Sequence, residues 1–103
     1  MIEIIPSERI IIITGHANYG PSGKDIVCAA VSALTQTLIE SIEQLTDDTI
    51  SYTEKSGYTL ITFKELSAEA NLLISSFFIG ISGIEAAYPD NVRIIGLYHR
   101  KMF

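Results

Sequence analysis

A chain of 103 residues, 48% of them hydrophobic and 18% charged, has enough apolar surface for one core and too much to remain disordered, so residues 1–103 are read as a single domain. Seven Lys and Arg stand against twelve Asp and Glu, and a net charge of −5 excludes a surface built to neutralise nucleic-acid phosphates; a basic protein partner suits it better. One cysteine cannot close an intrachain disulfide, and Met1 to Pro6 has neither the basic region nor the small-residue cleavage site of a secretory signal, so a reducing cytoplasm is the expected setting.

Ile2, Ile4 and Ile5 around Glu3 predict a short strand, ended by the turn residues Pro6 to Arg9. Ile10 to Thr14 predicts a second. Its four consecutive isoleucines are apolar on both faces, which suits a central strand covered on both sides by helices, another sheet or a partner subunit. Between Gly15 and Asp25 three glycines, Pro21 and small polar residues mark a loop. The spacing of Val27, Val31, Leu34, Leu38, Ile42 and Leu45 by four and three then predicts a helix with one buried stripe.

Thr46 to Asp48 closes that helix. Thr49 to Glu54 and Tyr58 to Phe63, rich in threonine, tyrosine and isoleucine around Lys55-Ser56-Gly57, predict a β-hairpin. Ser67 is placed as the N-cap of a second helix, with Glu69 in the first turn where the dipole favours an acid. Its stripe is Ala70, Leu73, Phe77, Ile81 and Ile84. Leu72, Ile74, Phe78 and Ile79 lie off the stripe and make the helix apolar almost all round, as if covered twice. The stretch from Leu72 to Ile81 is broken by Ser75, Ser76 and Gly80 and falls short of the roughly 20 residues that span a bilayer, so no membrane partner is expected. Pro89 ends the helix, Val92 to Tyr98 reads as a last strand, His99 as exposed and structural, and Arg100-Lys101 as the start of a polar tail. The order is ββαββαβ, an α+β (α/β layered) domain of two helices packed on a mixed sheet.

The loop from Gly15 to Asp25 concentrates the chemistry, because it runs from His16 to the only cysteine, Cys28, at the start of a helix. A thiol becomes a useful nucleophile when a base or a positive field favours its thiolate; His16 could be the base and the helix start part of the field. A buried, inert thiol and a histidine bonded to a backbone carbonyl are the plain alternatives. Either Asp25 or Ser22 can cap the helix, the latter through an S-x-x-D box, and the first choice puts Cys28 at the third helical position. Asp25 reads as a cap rather than a catalyst, so asparagine should replace it with little loss. Gly20 and Gly23 give the segment Ala17 to Lys24 backbone freedom and only Tyr19 has apolar surface to pin it, which suggests a mobile cover that closes Tyr19 over a substrate; a rigid turn shaped by Pro21 is the alternative.

Other chemistries fail on spacing. Gly15 and Gly23-Lys24 are too far apart for a phosphate loop, and Asp25 stands where the Mg²⁺-binding hydroxyl belongs. Gly80-Ile81-Ser82-Gly83 is no nucleophile elbow; those glycines instead suit close helix packing. Neither a metal site nor a cofactor is indicated.

The blocks Gly15-His16-Ala17, Gly23 and Asp25-Ile26-Val27-Cys28-Ala29-Ala30-Val31-Ser32, with Tyr88-Pro89 after the second helix, resemble the ribosomal-processing cysteine protease family, Prp, over nearly the whole chain. The resemblance implies a cytoplasmic endopeptidase that removes a short N-terminal extension from a large-subunit ribosomal protein, number twenty-seven. It implies Cys28 and His16 as the catalytic pair, Asp25 and Ser32 in support, and a homodimer. A ribosome-associated module that binds in the same groove without cleaving is the alternative.

Overall fold

In the computed structural model, which describes residues 1–96, the four isoleucines form the middle strand of a five-stranded mixed sheet. The elements follow the expected order: β1 (Ile2–Pro6), β2 (Ile10–Thr14), α1 (Ile26–Leu45), β3 (Ile50–Lys55), β4 (Tyr58–Phe63), α2 (Ala68–Ala87) and β5 (Val92–Ile94). Across the sheet they lie β3-β4-β2-β1-β5; β1 and β5 are parallel and the other pairs antiparallel. His99, Arg100 and Lys101, and the Leu97–Tyr98 end of the expected last strand, lie outside the described residues.

Both helices cover one face. Ile2 and Ile4 of β1, Ile11 and Ile13 of β2, Ile61 and Phe63 of β4, and Val92 of β5 are buried with the inner stripes of α1 and α2 in one cluster. On the opposite face Ile5, Ile12 and Leu60 lie side by side across three strands and are only half-buried, so the strand expected to be covered twice is covered once by the described elements. Chain handedness accounts for this. The crossover from β2 through α1 to β3 and that from β4 through α2 to β5 run in opposite strand directions and toward opposite edges, so right-handed connections place both helices on the same side.

The helix stripes shift from the simple periodic reading. On α1 the buried set is Val27, Val31, Thr35, Leu38, Ile39 and Ile42, while Leu45 is 68% exposed beside the C-cap Thr46. Thr35 tolerates burial because its hydroxyl donates to the Val31 carbonyl at 2.8 Å. On α2 Ile74, Phe77 and Phe78 are buried, the two rings edge to face at 5.1 Å, and Leu72 and Ile79 remain on the outer side. Gly80 does permit close packing, since a Cβ there would lie 2.8 Å from Leu34 Cδ1; Gly83 faces open space and serves no such purpose. Ser67 caps α2 as expected, accepting from Ala70 N–H at 3.1 Å while donating to Asp48 Oδ2 at 2.9 Å.

Ile39 and Leu45 distinguish the folded stripe from the periodic one. Ile39→Ala should cost about 2–5 kcal/mol, because it empties a fully buried site. Leu45→Ala should stay within about 0.5 kcal/mol. Urea denaturation of both variants checks the pair, and equal losses would contradict this packing.

Candidate active site

Asp25 is where the loop and the helix are joined. It is the N-cap of α1: its Oδ1 accepts from Val27 N–H and Cys28 N–H, both at 3.0 Å, so Cys28 stands at the third helical position and Ser22 is not the cap. Its Oδ2 accepts from Tyr19 N–H at 2.8 Å and Gly20 N–H at 3.1 Å. The Cys28 N–H, followed by those of Gly20, Tyr19 and Val27, holds the carboxyl below the usual aspartate range against a partial desolvation that acts the other way.

The loop is therefore tied at its first half. Asn18 takes a left-handed conformation, φ 56°, which asparagine tolerates. Ala17 is buried, its carbonyl accepts from Asn91 Nδ2 at 2.9 Å, and the Tyr19 ring meets Tyr88 edge to face at 5.1 Å. The expectation that Tyr19 alone could pin this segment missed these polar ties. Pro21 to Lys24 is exposed, and Gly23 is required there by φ 82°.

An open groove of about 960 Å³ runs between the first half of α1 and the β3–β4 hairpin. It brings together His16, Gly20, Gly23, Asp25, Cys28 and Ser32; Tyr19, turned to Tyr88, is not among its lining residues. Cys28 is half-buried and unpaired in any disulfide. Its sulfur accepts from the Ala17 backbone N–H at 3.4 Å, not from the His16 ring. His16 is exposed and lies over the hairpin turn, where Gly57 has no side chain: a Cβ there would lie 2.6 Å from His16 Nε2. Farther along the helix Gln36 Nε2 donates to Glu54 Oε2, joining the two walls. Among the described residues no three His, Cys, Asp or Glu side chains are placed to share a metal ion.

Asn91, Gln36 and Glu54 carried no signal in the sequence. Asn91 is 74 positions from the residue it holds, and no local pattern reports such a bond.

A lone thiol in the first turn of a helix, at an open groove that a histidine also lines, is an arrangement that suits a thiol-dependent hydrolase. Residues 7–93 match the family model described as Cysteine protease Prp, and the chain belongs to that family; it is a cysteine protease. The ribosomal processing cysteine protease Prp of Staphylococcus aureus is 32% identical over 87 residues, 82% of each chain, and that of Bacillus subtilis 32% over 89 residues, 80% of each. A crystal structure of the S. aureus ribosomal processing protease Prp, in complex with a covalently linked product peptide, superposes with a TM-score of 0.83 at 27% identity, covering 90% of this chain and 94% of that one.

The four bonds to Asp25 revise what asparagine can do there. An amide keeps one acceptor oxygen but turns an N–H₂ toward either the helix pair or the loop pair of donors. Asp25→Asn should therefore fold, yet lose peptide cleavage as the segment from Ala17 to Gly20 loosens. The pH dependence has a definite sign. A carboxyl lowered on folding stabilises fully above its unfolded value, near 3.9, and that contribution disappears as pH falls through the lowered folded value. The gap in urea midpoint between parent and Asp25→Asn should be widest at neutral pH and close on acidification below about pH 4. A gap unchanged down to pH 2 would show that the carboxylate does not hold the loop.

Proposed function

We propose that this protein removes a short N-terminal extension from the large-subunit ribosomal protein number twenty-seven, with Cys28 as nucleophile and His16 as general base. The observation that carries the reading is the half-buried Cys28 sulfur at the groove, with Ala17 N–H at 3.4 Å and His16 lining the same groove. The similarity to ribosomal processing cysteine proteases and the covalently linked product peptide in the S. aureus structure support it. Asp25 supports the pair by fixing the loop, and Ser32, one turn beyond Cys28 on the groove side, lies where a substrate backbone would pass.

In this reading a peptide enters the open groove and His16 leaves its place over Gly57 to take the thiol proton; catalytic hydrogen bonds commonly tighten only when substrate is bound. The sulfur attacks the scissile carbonyl, the amine leaves with the proton that His16 carries, and water hydrolyses the acyl-enzyme. The exposed tip from Pro21 to Lys24 is the part of the loop left to move over the bound chain. The setting is cytoplasmic, the partner is a protein segment rather than nucleic acid or membrane, and the working form is a homodimer, for which the exposed Leu72 and Ile79 on α2 are the supporting apolar surface.

Mass spectrometry of the ribosomal protein after incubation with the chain tests this. The parent should trim the N-terminus at one position. Cys28→Ser should retain binding and lose cleavage, and His16→Ala should slow cleavage by about 10²–10⁴-fold. Trimming by Cys28→Ser at the parent rate would sink the assignment.

A further inference from the structure

Attack on a peptide carbonyl by sulfur puts negative charge on the carbonyl oxygen, and a donor must meet that charge. The helix start is the natural source, but here the N–H groups of Val27, Cys28 and Ala29, the residues at and beside the thiol, are committed elsewhere. Val27 N–H and Cys28 N–H are both bonded to Asp25 Oδ1, and Ala29 N–H to the Asp25 carbonyl at 3.0 Å. Tyr19 N–H and Gly20 N–H are bonded to Oδ2, and Gly15 N–H to the Gly57 carbonyl at 2.8 Å. The N–H in contact with the sulfur itself is that of Ala17.

Ala17 is held from the far side. Its methyl group is in the core, and its carbonyl accepts from Asn91 Nδ2 at 2.9 Å. Asn91 is fixed in turn by two backbone bonds, from its N–H to the Tyr88 carbonyl at 3.0 Å and from Ile2 N–H to its carbonyl at 2.8 Å. From the α2–β5 connection Asn91 therefore holds the carbonyl side of Ala17, while the Met1 ammonium donates to the His16 carbonyl of the peptide that carries the Ala17 N–H.

We propose that the Ala17 backbone N–H, in contact with the Cys28 sulfur in the free protein, is the donor that receives the oxyanion, and that Asn91 is the positioning residue that holds Ala17 there. The proposal rests on Cys28 being the nucleophile. As the S–C bond forms, the carbonyl π pair moves to an oxygen that lies two bonds from the sulfur. Ala17 N–H passes from sulfur to that oxygen. When the pair returns, the C–N bond breaks and the amine takes the proton that His16 received from the thiol, leaving the acyl-enzyme.

Cys28 itself permits the direct test, since a synthetic segment 1–27 can be ligated to segment 28–103 at that cysteine with an ester oxygen in place of the Ala17 N–H. The ester protein should lose about 10²-fold or more in kcat for peptide cleavage, while alkylation of Cys28 by iodoacetamide, which creates no oxyanion, slows far less. Equal losses in both reactions would mean that the N–H serves only the sulfur, and unchanged cleavage would mean that it serves neither; each result overturns the proposal. Asn91→Ala in the full recombinant chain gives a second arm, with kcat lowered by up to about 10²-fold and KM little changed. Asn91→Asp, which sets a carboxylate against the Ala17 carbonyl, should be worse. A folded Asn91→Ala protein with parental kcat also overturns the assignment. Failure of the nucleophile reading is separate, because it appears as cleavage that survives full alkylation of Cys28.

Discussion

The Asp25 carboxylate is the constraint on which the site depends. Two donors come from the helix and two from the loop, and one planar group of two oxygens satisfies all four. Bonds of this kind to an ionised acceptor are shorter and stronger than neutral ones, so a single residue at the loop's end fixes its start as well. The conformation of Asn18 and the turn of Tyr19 toward Tyr88 belong to the same arrangement. Without the carboxylate, the helix could still be capped by another polar residue. The loop could not be held by it.

The sheet supplies the frame for this loop. Gly15 and His16 follow directly from β2, whose flanking strands β1 and β4 fix it on both sides, and Gly15 N–H extends the pairing to the Gly57 carbonyl at 2.8 Å. That bond brings the β3–β4 turn up beside His16, and the missing side chain of Gly57 makes room for the ring. The groove is thus a gap between a helix and a hairpin that are both attached to the same central strand. The pair Gln36 and Glu54 joins its walls farther along α1, two helical turns beyond Cys28.

Much of this was legible in the sequence where the signal is local. The isoleucine run, the threonine-rich hairpin, Ser67 as a cap and Asp25 before Cys28 each express a preference that the chain realises within a few residues. What depends on tertiary packing was not. Leu45 fits the periodic stripe of α1 but is its last residue and is exposed beside the C-cap, while Ile39, off that stripe, is fully buried because the helix presents a broader face to both the sheet and α2. The one-sided cover of β2 follows from crossover handedness, which a run of four isoleucines does not encode. Asn91 lies between Pro89 and the last strand, and nothing near it in the chain points to Ala17.

The same accounting bears on how a cysteine protease can be built at a helix start that carries its own aspartate. The partial positive charge of a helix N-terminus resides largely in its free first-turn N–H groups. Here two of those groups face a carboxylate held ionised by the bonds it receives, so much of the charge that would act on the sulfur is already opposed. The arrangement trades field for position. It places Cys28 at the third helical position and the loop against it, and leaves proton transfer and charge stabilisation to groups outside the helix. In the mechanism we propose, those groups are the His16 ring at the groove and the Ala17 peptide on the sulfur, both in the loop that Asp25 ties to the helix. An aspartate that weakens the helix's electrostatic contribution is compatible with catalysis at Cys28 because it orders the loop that replaces it.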